Sequence, residues 1–388
     1  MIIPASDKLQ YINEYYFSMK LREVKEMVDR GLPVINLGIG NPDMPPSDET
    51  IAALIKSSKS PNNHGYQSYI GIDGLRQSLA DWYTRTYKVN LNFKDEILPL
   101  LGSKEGISHI SHAFLNPGDI ALVPDPGYPT YTSATRLAGA VPYTYSLDEH
   151  NSWQPMLESI PEDILHKAKI LWVNYPNMPT GTAGSKAMFE KIIAFAKKYK
   201  ILVINDNPYS LVLPAENPVS IFQNEEAKDM CLELNSLSKS HNMAGWRVGM
   251  VSGHKDYIGA ILKVKSNMDS GMFRPIQDAA ITALSVSEEW HQKRNDEYAS
   301  RRSFAYQMLD ILECTYSTEQ VGMFIWAKIP IKYSNAEELT ELLLHSYNVF
   351  ITPGLIFGKN GDRYIRISLC SNKNVLAETV KRLQSFKS

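Results

Sequence analysis

Short, almost wholly apolar runs alternate with helical patterns through the middle of this chain, and a turn follows most of them. Ile120–Val123 is one such run, and Ile170–Val173 is another that ends in the turn-rich stretch Asn174–Gly181. Ser185–Tyr199 then carries Met188, Phe189, Ile192, Ile193 and Ala196 at the 3.6-residue spacing of an amphipathic helix. Ile201–Ile204, Leu232–Leu237 and Val248–Val251 read as further strands. Strands with so few polar positions are buried on both faces, which predicts an α/β fold with a mostly parallel sheet covered by helices. Ligands in such sheets sit beyond the carboxyl ends of the strands. Asn177, Asp206 and Lys239 fall just past three of those ends.

After about Glu288 the texture changes. A long charged helix is predicted to about Leu312, followed by strands near Phe324–Ile329, Val349–Thr352 and Tyr364–Ser368, a helix near Ala336–Tyr347 and a final helix. This reads as a smaller α+β domain at 289–388, beside a large domain at 46–288. The segment 1–45 is expected to join the small domain through a strand at Val34–Leu37. A length of 388 residues suits that division. The net charge of -2 offers no basic field for nucleic acid or anionic lipid. No apolar run reaches the ~18 residues of a membrane helix. Met1–Gln10 lacks the apolar core of a signal peptide, and three well-separated cysteines make no disulfide framework. A cytoplasmic protein is the expectation.

The chemistry concentrates in a few short motifs. In Ser236-Leu237-Ser238-Lys239 a lysine follows a buried strand and is flanked by small hydroxyls. Burial holds such an amine partly neutral, and a neutral amine attacks an aldehyde to form a Schiff base. Taken alone, a surface lysine in a loop is the commoner reading. Asp206, in Asp206-Asn207-Pro208-Tyr209, is a candidate for the acidic partner that a pyridoxal phosphate site needs to keep its pyridine nitrogen protonated, with a cap or turn residue as the alternative, and Tyr209 is a candidate to bond the ring's phenolic oxygen. Gly102-Ser103-Lys104 opens a predicted helix, so Ser103 and Lys104 suit a phosphate, with Arg247 as a two-pronged partner. Tyr128, in Asp125-Pro126-Gly127-Tyr128-Pro129, is a candidate to stack on the pyridine ring. Arg366, alone in the apolar strand Tyr364–Ser368, wants a carboxylate, either internal or from a substrate.

The order Gly-Ser-Lys, aromatic, Asn-x-Pro-Thr-Gly, Asp-x-x-Tyr, Ser-x-Ser-Lys and Tyr-x-Arg resembles the class I/II aminotransferases of fold type I, the aspartate aminotransferase superfamily. The resemblance spans essentially the whole chain. It implies pyridoxal 5'-phosphate bound to Lys239 as a Schiff base, with a large domain of the seven-stranded type. Cofactor contacts are implied from Ser103, Lys104, Tyr128, Asn177, Asp206, Tyr209, Ser236, Ser238 and Arg247. Tyr66, before Gly71-Ile72-Asp73-Gly74, matches a tyrosine that reaches the phosphate of a neighbouring subunit, which implies a homodimer. Gly38 and Arg366 are implied to orient the α-carboxylate of an amino acid, with a 2-oxo acid as second substrate. Lys265–Phe273 further resembles the branch with LL-diaminopimelate and broad-specificity bacterial aminotransferases. No metal is implied.

One position departs from the pattern. The family has asparagine directly before Pro-Thr-Gly, whereas this chain has Met178, with Asn177 one residue earlier. Methionine has no proton to donate to a phenolic oxygen. Arg274 lies near the expected site, either to read a distal acid or as a solvated arginine. Among rival readings, Ser236-Leu237-Ser238-Lys239 matches the Ser-x-x-Lys of penicillin-recognising enzymes, but their companion elements are missing. Gly38-Ile39-Gly40 lacks the third glycine of a dinucleotide fingerprint. The serious alternative is a lyase reaction, β-elimination, with the same cofactor on the same fold.

Overall fold

The computed structural model describes residues 3–12, 16–215 and 217–386. Its largest sheet has seven strands: β1 (Ile97–Leu100), β2 (Ile120–Asp125), β3 (Val141–Ser146), β4 (Ala168–Val173), β5 (Leu202–Asp206), β6 (Cys231–Ser236) and β7 (Gly249–Gly253). They lie side by side in the order β1-β7-β6-β5-β4-β2-β3. Six run in one direction, and β7 runs antiparallel to both its neighbours, β1 and β6. The reversal follows from the short link between β6 and β7, which brings Gly249 back beside Ser236. A parallel pairing would need a crossover around the sheet.

Successive side chains feed two cores, one on each face of the sheet. Leu171, Val173 and Val203 face one core, while Ile170, Trp172 and Ile204 face the other. The sequence reading did not anticipate β1 and β3, which are the two edge strands. Each contains a proline, Pro99 or Pro142. Proline argues against a strand in sequence but is tolerated at an edge, where its missing N–H leaves no partner wanting.

The C-terminal elements form a second core around an antiparallel sheet. Its strands are ordered Thr352–Pro353, Tyr364–Ser368, Phe324–Lys328 and Thr315–Tyr316. The predicted N-terminal strand forms over Ile35–Asn36, but it pairs in parallel with Val349–Phe350 and makes a separate two-stranded sheet. Leu37 O then accepts from Ser368 N at 2.8 Å, which carries the chain toward the carboxyl ends of the large sheet. The helix Tyr16–Asp29 packs Val24 and Met27 against Leu344 and Phe350. No helix among the described residues is long and apolar enough to cross a membrane.

Candidate active site

Asp206 is the last residue of β5, and it lies on the same face of that strand as Ile204. Its side chain is almost fully buried. Tyr131 donates to Oδ2 at 2.9 Å, while Oδ1 has no hydrogen-bond partner among the described residues. Burial pushes this carboxyl up to about 7, and the Tyr131 bond opposes that rise. On the other face of β5, Asn205 Nδ2 donates to the buried Glu233 at 2.9 Å, which also accepts from Ser220 Oγ at 2.8 Å and Tyr83 at 3.1 Å. This network anchors the strand from behind.

Lys239 follows β6 in the short helix Leu237–Ser240, which Ser236 caps by accepting from Ser238 N at 3.1 Å. Burial lowers the affinity of the Lys239 amine for its proton, Cys370 opposes that shift, and Arg366 and Arg247 reinforce it. Nζ donates to the carbonyl of Gly40, so the N-terminal segment closes over the lysine.

Asp206 and Lys239 border one cavity of about 580 Å³. Ser103, Lys104, Tyr128, Tyr209, Ser236, Ser238, Arg247 and Arg366 border it too. Ten residues predicted from sequence therefore converge on one space. A larger cavity, of about 810 Å³, opens beside Thr315–Gln320 but contains none of them. We take the smaller cavity as the reactive one because a buried acid and a half-buried amine face it together.

At one end of this cavity, Gly102 turns the chain at φ +87° into the helix Ser103–Phe114. A Cβ at Gly102 would collide with the Arg247 guanidinium, and one at Gly249 would come within 2.6 Å of Ser103 N. Arg247 Nη1 lies 3.4 Å from Ser238 Oγ and 3.0 Å from Ala244 O. A helix start, hydroxyls and a guanidinium thus meet as an anion site. At the other end, Arg366 donates through Nη2 to Gly38 O at 2.7 Å and through Nη1 to Met178 Sδ at 3.1 Å. Its guanidinium lies 3.9 Å from the Phe324 ring centre and 4.7 Å from that of Phe357. Gly38 acts here through its carbonyl, beneath the arginine.

Two predicted residues lie elsewhere. Asn177 is buried but turned into its own loop: Oδ1 accepts from Thr180 N at 3.2 Å and Thr180 Oγ1 at 2.7 Å, and Nδ2 donates to Asn174 O at 3.1 Å. Met178 and Asn174 face the cavity in its stead. Asn174 Nδ2 donates to the backbone carbonyl of Asp206, and its Oδ1 accepts from Met178 N at 2.9 Å. Tyr66 is 93% exposed and does not line the cavity of its own chain. Arg274 pairs with Asp278 at 2.9 Å on its own helix. The sequence reading missed Tyr131, Asn174, Phe324 and Phe357. The only signal for Tyr131 was its place one helical turn beyond Tyr128. Glu105, His109 and Asp269 cluster behind the helix Ser103–Phe114, and Lys265 Nζ, 2.5 Å from Asp269, already supplies a positive charge there.

Comparison with known proteins agrees with this arrangement. Residues 33–383 match the family model for aminotransferase class I and II. The chain is 41% identical to the LL-diaminopimelate aminotransferase of Aquifex aeolicus, over 98% of this chain and 99% of that protein. Among solved structures, apo-BacF from Bacillus subtilis superposes with a TM-score of 0.95 at 37% identity, covering 100% of this chain and 99% of that one. The alanine aminotransferase of Pyrococcus furiosus gives a TM-score of 0.91 at 27% identity, covering 99% of each chain. The fold, the converging residues and these likenesses lead to one conclusion: the chain belongs to the class I and II aminotransferases and is an enzyme that transfers amino groups.

Proposed function

We propose that this aminotransferase works with pyridoxal 5'-phosphate held in the 580 Å³ cavity, moving the amino group of an L-amino acid to a 2-oxo acid. The observation that carries the reading is the pairing of a buried acid and a half-buried amine across one cavity. Asp206 offers an unpartnered carboxylate oxygen, and Lys239 offers an amine that burial favours in its neutral form. An acid so placed is stabilised by a cationic ring nitrogen, and such an amine is a competent nucleophile. The cofactor supplies an aldehyde carbon that takes up the amino group and a protonated ring that draws electrons from the bond being broken.

The chain's own residues do the rest. Ser103, Lys104, Ser236, Ser238 and Arg247 hold the phosphate at the helix start. Tyr128 covers the ring, Asp206 keeps its nitrogen protonated, and Tyr209 serves its phenolic oxygen. Arg366, set by Gly38 O and two aromatic rings, grips the α-carboxylate of the substrate and orients its Cα–H bond. With the cofactor bound, Lys239 Nζ would remove the substrate Cα proton as general base and return it as general acid.

Residues 1–45 and 289–388 act as one small domain against 46–288, and the enzyme works as a homodimer. Exposed Tyr66, Tyr69, Met268 and Phe273 support the dimer. They belong to one patch, because Gly271 packs against the Gln67 and Ser68 carbonyls and Phe273 lies 5.8 Å from His64. An apolar patch of this kind marks an interface. The names of relatives 38–41% identical make LL-diaminopimelate the first amino donor to test. The deciding experiment adds single amino acids to purified protein loaded with the cofactor. An aminotransferase converts the cofactor to pyridoxamine phosphate in one turnover, whereas release of ammonia without that product would establish a lyase. Sedimentation at assay concentration should give a dimer; a fully active monomer would contradict the shared site.

A further inference from the structure

The loop Gly354–Gly361 belongs to the C-terminal unit, yet its hydrogen bonds reach the large sheet. Asp125, the last residue of β2, receives it. Asn360 N donates to Asp125 Oδ1 at 3.0 Å and Lys359 N donates to Oδ2 at 3.2 Å. Asn360 Nδ2 donates to two backbone carbonyls, Asp125 O at 3.1 Å and Leu147 O at 3.3 Å. Gly127 N donates to Phe357 O at 2.7 Å. Gly358 sits at φ +137°, and a Cβ there would collide with the Asp125 carboxylate, so the approach admits no side chain. A single carboxylate accepting from two consecutive backbone N–H groups is a charge-assisted, geometrically specific joint.

What this joint holds is the substrate end of the cavity. Phe357, buried at 4% exposure, precedes the joint and is one of the two rings beside the Arg366 guanidinium. Tyr128, directly after Gly127, borders the same cavity from the large sheet. One set of bonds thus fixes an aromatic wall from each unit. We propose that Asp125 and Asn360 are positioning residues: by clamping the Gly354–Gly361 loop to the end of β2 they seat Phe357 against Arg366, and they thereby set the affinity for the substrate carboxylate. They touch no reacting atom. Their effect falls on substrate binding and spares both the cofactor and the proton transfer at Lys239. This inference rests on the assignment of Arg366 to the substrate carboxylate.

The test compares holoenzymes of wild type, Asp125→Ala, Asn360→Ala, Phe357→Leu and the double variant Asp125→Ala/Phe357→Leu. Steady-state kinetics are read beside calorimetric binding of 3-phenylpropionate, an unreactive carboxylic acid. Each single variant should raise KM and weaken the calorimetric Kd about tenfold, the cost of a small misplacement of a binding group, with kcat within about twofold. The double variant should be no worse than Phe357→Leu alone, because both changes remove the same wall. Asp125→Asn, which keeps one acceptor oxygen, should recover part of the loss. Unchanged KM and Kd in Asn360→Ala, or full additivity in the double variant, would overturn the proposal. If Asp125→Ala does not fold, the double variant Asn360→Ala/Phe357→Leu decides in its place. Amino transfer and pyridoxal phosphate retention by the wild type test the functional reading separately, so the two failures are distinct.

Discussion

The Tyr131 hydroxyl donates to Asp206 Oδ2 at 2.9 Å and leaves Oδ1 without a hydrogen-bond partner among the described residues. The Tyr131 ring is itself fixed, stacked on Trp172 at 5.0 Å with 9° between the planes and edge-on to Tyr128 at 5.7 Å. One tyrosine therefore aims the acid and buttresses the residue proposed to cover the cofactor ring. A buried carboxylate with a single hydrogen bond is costly unless a cation completes it.

That cost predicts a pH-dependent stability in the cofactor-free protein. Asp206 is held at about 7 against an ordinary 3.8. Between these values the folded chain keeps a proton that the unfolded chain has released, so the stability this group contributes is present below about pH 4 and is lost as pH rises to about 7. Asp206→Asn removes the loss. In thermal melts without cofactor the variant should match wild type near pH 4 and exceed it above pH 7, by at most about 4 kcal/mol. With cofactor the order should reverse in function. The variant's single-turnover rate should fall by two or more orders of magnitude, since removing one partner of a buried ion pair costs ~3–5 kcal/mol. A near-normal rate would refute the role of Asp206.

Lys239→Ala should abolish transfer and leave no covalent cofactor after borohydride reduction, read as the absence of the mass increment on the intact protein. Retention of that increment would move the attachment to another lysine.

Arg366→Lys should weaken amino-acid binding about tenfold or more while leaving pyridoxal phosphate affinity near wild type. Lysine cannot reproduce the planar fork, nor fill the space beside the Phe324 and Phe357 rings. Titrations of cofactor and of donor check the two halves, and unchanged donor affinity would make Arg366 a structural residue.

Met178 occupies the place where the family pattern has asparagine, and both ends of the Asn177 amide are committed to its own loop. On the proposed reading, neither Asn177 nor Met178 donates to the phenolic oxygen. Met178→Asn should supply that donor, draw negative charge from the lysine-bound nitrogen, and lower the pH midpoint of the bound cofactor's absorbance. Asn177→Ala should leave that midpoint in place. The opposite pair of results would show that Asn177 serves the oxygen after all.

The amino-acid order by itself determined the strands that carry the chemistry. The strand runs ending at Val173, Ile204 and Leu237 each meet a turn, and polar groups within a few residues of such an end lie near the ligand edge of the sheet. Asp206 and Lys239 are legible for that reason, as is Arg366, whose charge stands alone in an apolar strand. Only the tertiary structure decided which side of the 174–181 loop faces the cavity. Asn177 and Met178 are adjacent, and periodicity fails within a turn, where local hydrogen bonds set side-chain direction. The tertiary structure also decided that Phe324 and Phe357, from a second core, flank Arg366, and that Tyr131 completes Asp206. Those contacts join segments far apart in sequence. Each of these aromatic residues reads as ordinary core until packing shows that its partner is a buried charge.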